Sequence, residues 1–254
     1  MSLSIRDLHF GYTKSHEILH GISCEIPDRE LVAVLGPNGC GKTTFVKCIN
    51  RIHTPWSGQI LLDGKDLSAS THSDIAKKVG YVPQVVSGSM SGTVIDYILL
   101  GRRQYLNWKL RECDLLAVME VLEKLHIREI ANRDFGALSG GQRQKVVVAR
   151  ALLQIPEMYI FDEPTSNLDL KNQIEIMELA RGIVDQNGKT VVMVVHDLNM
   201  ALHYSDWIIL MSDGGIVAQG EPKEVLTPQN IQAVYNIGVR LEECGYVNPF
   251  PEKR

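Results

Sequence analysis

No stretch of this chain is long and apolar enough to cross a bilayer. Its longest unbroken apolar runs, such as 191–195 and 207–211, fall far short of the roughly 20 residues that a spanning helix needs. A secretory leader is missing too, because Arg6 and Asp7 interrupt any apolar run within residues 1–12. There is no excess of positive charge: the net charge is −4, so the bulk composition does not draw the molecule towards nucleic acid. Paired cysteines are absent. The five present (Cys24, Cys40, Cys48, Cys113 and Cys244) include no C-x-x-C and are odd in number, which argues against a disulfide framework or a zinc site and for reduced thiols. Internal repeats, low-complexity tracts and sustained heptads are also lacking. What remains is a chain of 254 residues, 44% of them hydrophobic, enough to bury a sizeable core. It is expected in the cytosol unless a partner holds it at a membrane.

The apolar residues come in short blocks. Residues 3–10 alternate in the manner of a half-buried strand, and 18–26 reads as a second one. The block Leu31-Val-Ala-Val-Leu35 is continuous, as in a strand covered on both faces. It leads into a glycine-rich turn and a helix over about 41–50. Strands are expected at 59–62, 79–82, 158–161, 190–195, 207–211 and 216–218. Helices are expected at 140–154, 170–186 and 198–204, with short ones at 221–226 and 228–235. A Gly/Ser-rich loop occupies 87–91. From 93 to about 130 the pattern is helical, with Leu115, Val118, Met119, Leu122 and Leu125 on one stripe. The sequence therefore reads as an α/β nucleotide-binding core (1–86 and 140–254) with an N-terminal antiparallel β region and an inserted helical subdomain (87–139). Buried strands alternating with helices imply a mainly parallel sheet, whose ligands bind beyond the carboxyl ends of its strands.

Chemistry-bearing residues stand at those ends. Gly36-Pro37-Asn38-Gly39-Cys40-Gly41-Lys42-Thr43 fits the phosphate-loop pattern G-x-x-x-x-G-K-[ST] in full, between a buried strand and a helix. The glycines let backbone N–H groups approach an anion, and the helix adds its unpaired N–H groups and positive end. Lys42 supplies a point charge for the outer phosphates and Thr43 a hydroxyl for Mg²⁺, with Thr44 alongside. The strand 158–161 ends in Asp162-Glu163. Asp162 is the candidate Mg²⁺ ligand, and Glu163, pointing differently along an extended chain, is the candidate general base. A P-loop followed by an acidic strand end implies a nucleoside triphosphate bound with Mg²⁺.

Leu138-Ser139-Gly140-Gly141-Gln142 starts a second glycine-rich helix. As a bare N-cap Ser139 would contribute about 1 kcal/mol, but that leaves the two glycines, which disfavour a helix, without a reason. The string resembles the signature of ABC-transporter ATPases, and other elements of that family follow in its usual order over most of the chain. Tyr12 resembles the aromatic that stacks on adenine. Gln84 resembles the loop glutamine that links nucleotide, metal and membrane partner. Residues 166–169, ending in Asp169, resemble the loop that crosses to the opposite subunit, and His196 the histidine on the γ-phosphate. Cys40 and Asn167 depart from the commonest family residues at positions that do not bear on hydrolysis.

The resemblance implies a Mg-dependent ATPase coupled to transmembrane transport, working as a homodimer with its subunits head to tail. Each ATP would lie between segment 36–43 of one subunit and segment 139–142 of the other. Lys42, Gln84, Glu163 and His196 are its expected catalytic groups. The implied partners are multi-span permease subunits, met by the surface around 87–105, and indirectly a substrate-binding protein, with no nucleic acid. The subunit would sit peripherally at the cytoplasmic face of the cell membrane. Segments 93–102 and 220–227 are similar to importer subunits for iron chelates, haem and cobalamin. Zinc or manganese importers, a non-transport ABC ATPase acting on nucleic acid, and an ordinary P-loop kinase are the alternatives. The chain ends soon after the core, so no large C-terminal regulatory domain and no fused membrane domain are expected.

Overall fold

The computed structural model describes residues 2–84, 92–103, 111–166, 168–241 and 246–250. The loop expected at 87–91, both ends of the expected partner surface, and Asn167 lie outside them. Five apolar blocks form the parallel part of a six-stranded sheet: β3 (Leu31–Leu35), β6 (Val79–Val82), β7 (Met158–Phe161), β8 (Thr190–Val194) and β9 (Trp207–Ser212). β10 (Gly215–Gly220) closes one edge antiparallel, giving the order β10-β9-β3-β8-β7-β6. The blocks are continuous because both sheet faces are covered. Leu31, Ala33 and Leu35 belong to one hydrophobic cluster and Val32 and Val34 to another; Val191 and Met193 separate from Val192 and Val194 in the same way. Register aligns Val82, Phe161, Met193 and Ala33 in one row. The segments that follow these four strands therefore emerge along the same edge of the sheet.

One face is covered by an antiparallel sheet of β1 (Leu3–Thr13), β2 (His16–Ile26), β4 (Ser57–Leu62) and β5 (Lys65–Asp66), in the order β2-β1-β4-β5, together with α1 (Lys42–Ile49). β1 outruns the alternating stretch 3–10. Repeated register shifts against β2 between Ile5 and Thr13 bend it, and its end carries Tyr12 to the phosphate loop. α2 (His72–Lys78) was not legible from periodicity. It is set by its cap, the Thr71 hydroxyl accepting the Asp74 N–H.

The other face carries α3 (Val94–Leu99), α4 (Glu112–Lys124), α5 (Gly140–Leu153) and α6 (Leu170–Asn187). The helical pattern expected from 93 to about 130 is divided between separate helices. α3 stops at Leu99 in a single 3-10 turn, and α4 starts at Glu112. Leu115, expected on the buried stripe, is 40% exposed, while Val118 and Leu122 are buried. α4 packs on α3 and α5, and in its first turn it is Asp114, facing Arg102 at 3.5 Å, that turns inward in place of Leu115. Rings of Tyr97 and Phe135 stack at 4.1 Å and 6° beneath this layer. The chain closes with α7 (Leu198–Tyr204), α8 (Pro222–Val225), α9 (Pro228–Tyr235) and an unexpected hairpin of β11 (Gly238–Leu241) and β12 (Val247–Phe250). Val239 and Val247 bury into the same cluster as the helices.

Candidate functional site

The loop after β3 is shaped by its glycines. A Cβ at Gly36 would stand 2.3 Å from the carbonyl oxygen of Met211, and φ there is 150°. Gly41, at φ 102°, turns the chain into α1 without any side-chain cap, so the first N–H groups of the helix stay directed at the loop. Lys42 folds back over this cradle. Its Nζ donates to the carbonyls of Gly36 and Pro37 at 2.9 and 2.8 Å, and the residue is buried. A cleft of about 220 Å³ opens above, from Tyr12 and Ile18 at one end to Glu163 at the other, floored by residues of the 38–44 segment. Cys40 lies under the loop, where burial pushes its thiol up.

Beside the cradle, Thr43 Oγ1 donates to Asp162 Oδ1 at 2.8 Å and the Tyr81 hydroxyl donates to Oδ2 at 2.9 Å. Asp162 is 1% exposed. Burial raises its carboxyl above the ordinary range, against the downward pull of the two hydroxyls. Glu163 stands next to it with φ at 50°, and its carbonyl accepts from the Ser166 hydroxyl at 2.9 Å and from the Ser166 N–H at 3.2 Å. This left-handed residue turns its side chain away from that of Asp162. Glu163 Oε2 accepts from the Gln84 amide and lies 2.8 Å from His196 Nε2. The strand ends of β6, β7 and β8 thus deliver Gln84, Glu163 and His196 to one point.

Tyr12 is 61% exposed, with its ring edge-on to Phe10 and His53 and its hydroxyl 3.4 Å from Thr44 Oγ1. His53, stacked on Phe10, has its pKa lowered by burial. Tyr81, His53 and Ile18 were not singled out from the sequence. Each is an ordinary residue that matters only through a neighbour on another element.

Ser139–Gln142 and Asp169 do not line this cleft. Ser139 caps α5 in a reciprocal box with Gln142. Asp169 caps α6, its Oδ1 accepting the N–H and the side-chain amide of Asn172. The two helix starts are adjacent, since a Cβ on Gly141 would meet the Asn172 amide at 3.4 Å. Gly140 has neither a crowded Cβ position nor positive φ, so nothing inside the described chain demands glycine there. A larger groove of about 470 Å³, lined among others by Ile52, Tyr81, Leu100, Arg103 and Arg150, holds none of the expected site residues.

Residues 19–166 match the family profile described as ABC transporter. The chain is 44% identical over 242 residues to an uncharacterized ABC transporter ATP-binding protein of Methanocaldococcus jannaschii, covering 95% of this chain and 94% of that protein. It is 35% identical over 242 residues to the iron(3+)-hydroxamate import ATP-binding protein of Bacillus subtilis, covering 94% and 90%. Among solved structures it resembles an ABC transporter of metal-chelate type in an inward-facing conformation, with a TM-score of 0.84 and 28% identity, over 100% of this chain and 98% of that one.

Proposed function

The chain belongs to the ABC transporter family, as an ATP-binding subunit, and from that premise we propose that it hydrolyses Mg-ATP to power import of an iron chelate, haem or cobalamin through a separate membrane permease. The observation that carries the catalytic part is the convergence of Gln84 and His196 on the Glu163 carboxylate at the mouth of the phosphate cradle. A carboxylate held between an amide and an imidazole, beside a buried lysine, is placed to orient and deprotonate a water aimed at a terminal phosphate. The cargo reading is supported by segments 93–102 and 220–227 and by the hydroxamate-import relative.

The residues suit both nucleotide and metal. The Lys42 ammonium is satisfied only by neutral carbonyls among its hydrogen bonds, so a phosphate oxygen offers it a stronger partner. Thr43 and Asp162 are hard oxygen donors of the type Mg²⁺ takes, and the burial cost of an ionised Asp162 is relieved by a cation there. Mg²⁺ held by Thr43 and Asp162 would offset charge on the β- and γ-phosphates. Gln84, which gives its NH₂ to Glu163, has its amide oxygen left as a further ligand. Tyr12 offers an open ring for adenine.

Cassettes of this family dimerise and work with membrane permeases. A homodimer joined head to tail accounts for Gly140. Its glycine lets the head of α5 approach an anion held by segment 36–43 of the second subunit. ATP then bridges two anion sites and favours the closed pair, and hydrolysis reopens it. Within this scheme 87–139 is the helical arm, and the 470 Å³ groove between that arm and the core takes the permease. Tyr81 lines the groove and bonds Asp162, so docking and site share a residue. The subunit is peripheral at the cytoplasmic membrane face, and meets a substrate-binding protein only through the permease.

Glu163→Gln tests this directly, by phosphate release and size-exclusion chromatography with and without Mg-ATP. The variant is expected to bind ATP, lose at least about a hundredfold in turnover and accumulate as a dimer. Normal hydrolysis would remove Glu163 from the base role. An inactive variant that stays monomeric would place closure under control of the permease.

A further inference from the structure

Among the described residues His196 meets one side-chain partner, Glu163, and the helix that follows it is short. α7 has seven residues, too few to be stable alone, and Ala201 is its fully buried residue. On the strand side the position is firm, because the Val195 N–H donates to the Val34 carbonyl at 3.1 Å. On the helix side Leu198, Met200 and Leu202 pack against the core, and two polar side chains at the start of α7 add directional bonds. Asp197 caps α7, its Oδ1 accepting the N–H groups of Asn199 and Met200 at 2.8 and 3.0 Å. Asn199 reaches out of the helix to the C-terminal hairpin. Its Oδ1 accepts the Val247 N–H at 2.7 Å, and its Nδ2 donates to the Val247 carbonyl at 3.2 Å.

These two bonds occupy both backbone polar groups of one residue of β12, as a neighbouring strand would. They tie the first turn of α7 to a hairpin whose Val239 and Val247 are buried in the main core. The tie lies three residues beyond His196. We infer that Asn199 is a positioning residue: by clamping α7 to β12 it sets the angle at which His196 meets Glu163 and the terminal phosphate. It rests on the γ-phosphate role that the family resemblance implies for His196. A plainer role, in which Asn199 only anchors the hairpin, would affect stability alone.

The full-length chain separates the two. Binding of Mg-ATP and Mg-ADP, ATP turnover and thermal midpoint are measured for wild type, Asn199→Ala, Asn199→Asp, His196→Ala and the His196/Asn199 double variant. Asn199→Ala is expected to lower turnover and the preference for ATP over ADP by about tenfold to a hundredfold, with ADP affinity unchanged. Asn199→Asp keeps the acceptor for Val247 N–H and loses the donor, so it falls between; it also carries the test if the alanine variant does not fold. The double variant is expected to lose no more preference than His196→Ala, since both act through one group. A lower midpoint with unchanged ATP-to-ADP preference, or fully additive losses in the double variant, would overturn the inference. If His196→Ala itself leaves the preference intact, the γ-phosphate role fails instead, and the inference falls with it.

Discussion

Two residues other than glycine flank β7 with φ at 50°, Ile155 before the strand and Glu163 after it. Such a conformation costs about 1 to 2 kcal/mol in an L-residue. At Glu163 the surroundings hold it: Ser166 bonds the backbone, while Gln84 and His196 engage the side chain. At Ile155 the hold among the described residues is one backbone bond, its N–H to the Leu152 carbonyl at 3.1 Å. The residue follows the C-cap of α5, is β-branched and is 62% exposed. Ile155→Gly is therefore expected to raise stability by about 1 kcal/mol, the relief exceeding the loss of chain entropy. Denaturant unfolding measures it, and an unchanged or lower midpoint would mean that the left-handed isoleucine is not strained. The acid pair 162–163 was legible as two roles from alternation along a strand. That the division depends on a left-handed turn at Glu163 was not, because nothing local favours positive φ in a glutamate before proline.

Among elements, α5 starts badly and is stabilised elsewhere. Its cap contributes about 1 kcal/mol and each leading glycine costs about as much. The helix persists because Val146, Val147, Val148 and Leu153 are buried among neighbouring elements. The layer beneath it turns on Phe135, stacked on Tyr97 and covered by the Arg143 guanidinium at 5.6 Å from the ring centre. Phe135→Ala is expected to destabilise by about 3 to 5 kcal/mol. A loss under about 1 kcal/mol, within the range of surface substitutions, would show that the layer repacks around the hole. β3, β7, β8 and β9 of the main sheet are readable as apolar blocks. The segment 93–130 reads as helical, but where α3 ends and α4 begins is not legible in its apolar period, and packing on α5 decides which residues face inward.

Across the whole molecule the helical layer has no core of its own. Val94, Tyr97, Ile98, Val118, Leu122 and Phe135 join Leu31, Ala33, Val191 and Met193 of the sheet in one cluster. Heating is accordingly expected to give a single calorimetric transition without an earlier melting of residues 92–135; a separate low-temperature step in helical signal would contradict it. The sequence by itself determined the phosphate loop, the acidic strand end and the parallel core, because each depends on neighbours along the chain: a glycine pattern between strand and helix, two acids after an apolar block, runs with no polar face. Only the tertiary structure decided that Gln84, Glu163 and His196 meet, that Tyr81 braces Asp162, and that Asn199 holds β12. Those contacts join residues far apart in the chain; the register of β6, β7 and β8 sets the first two, a quantity that no local pattern encodes.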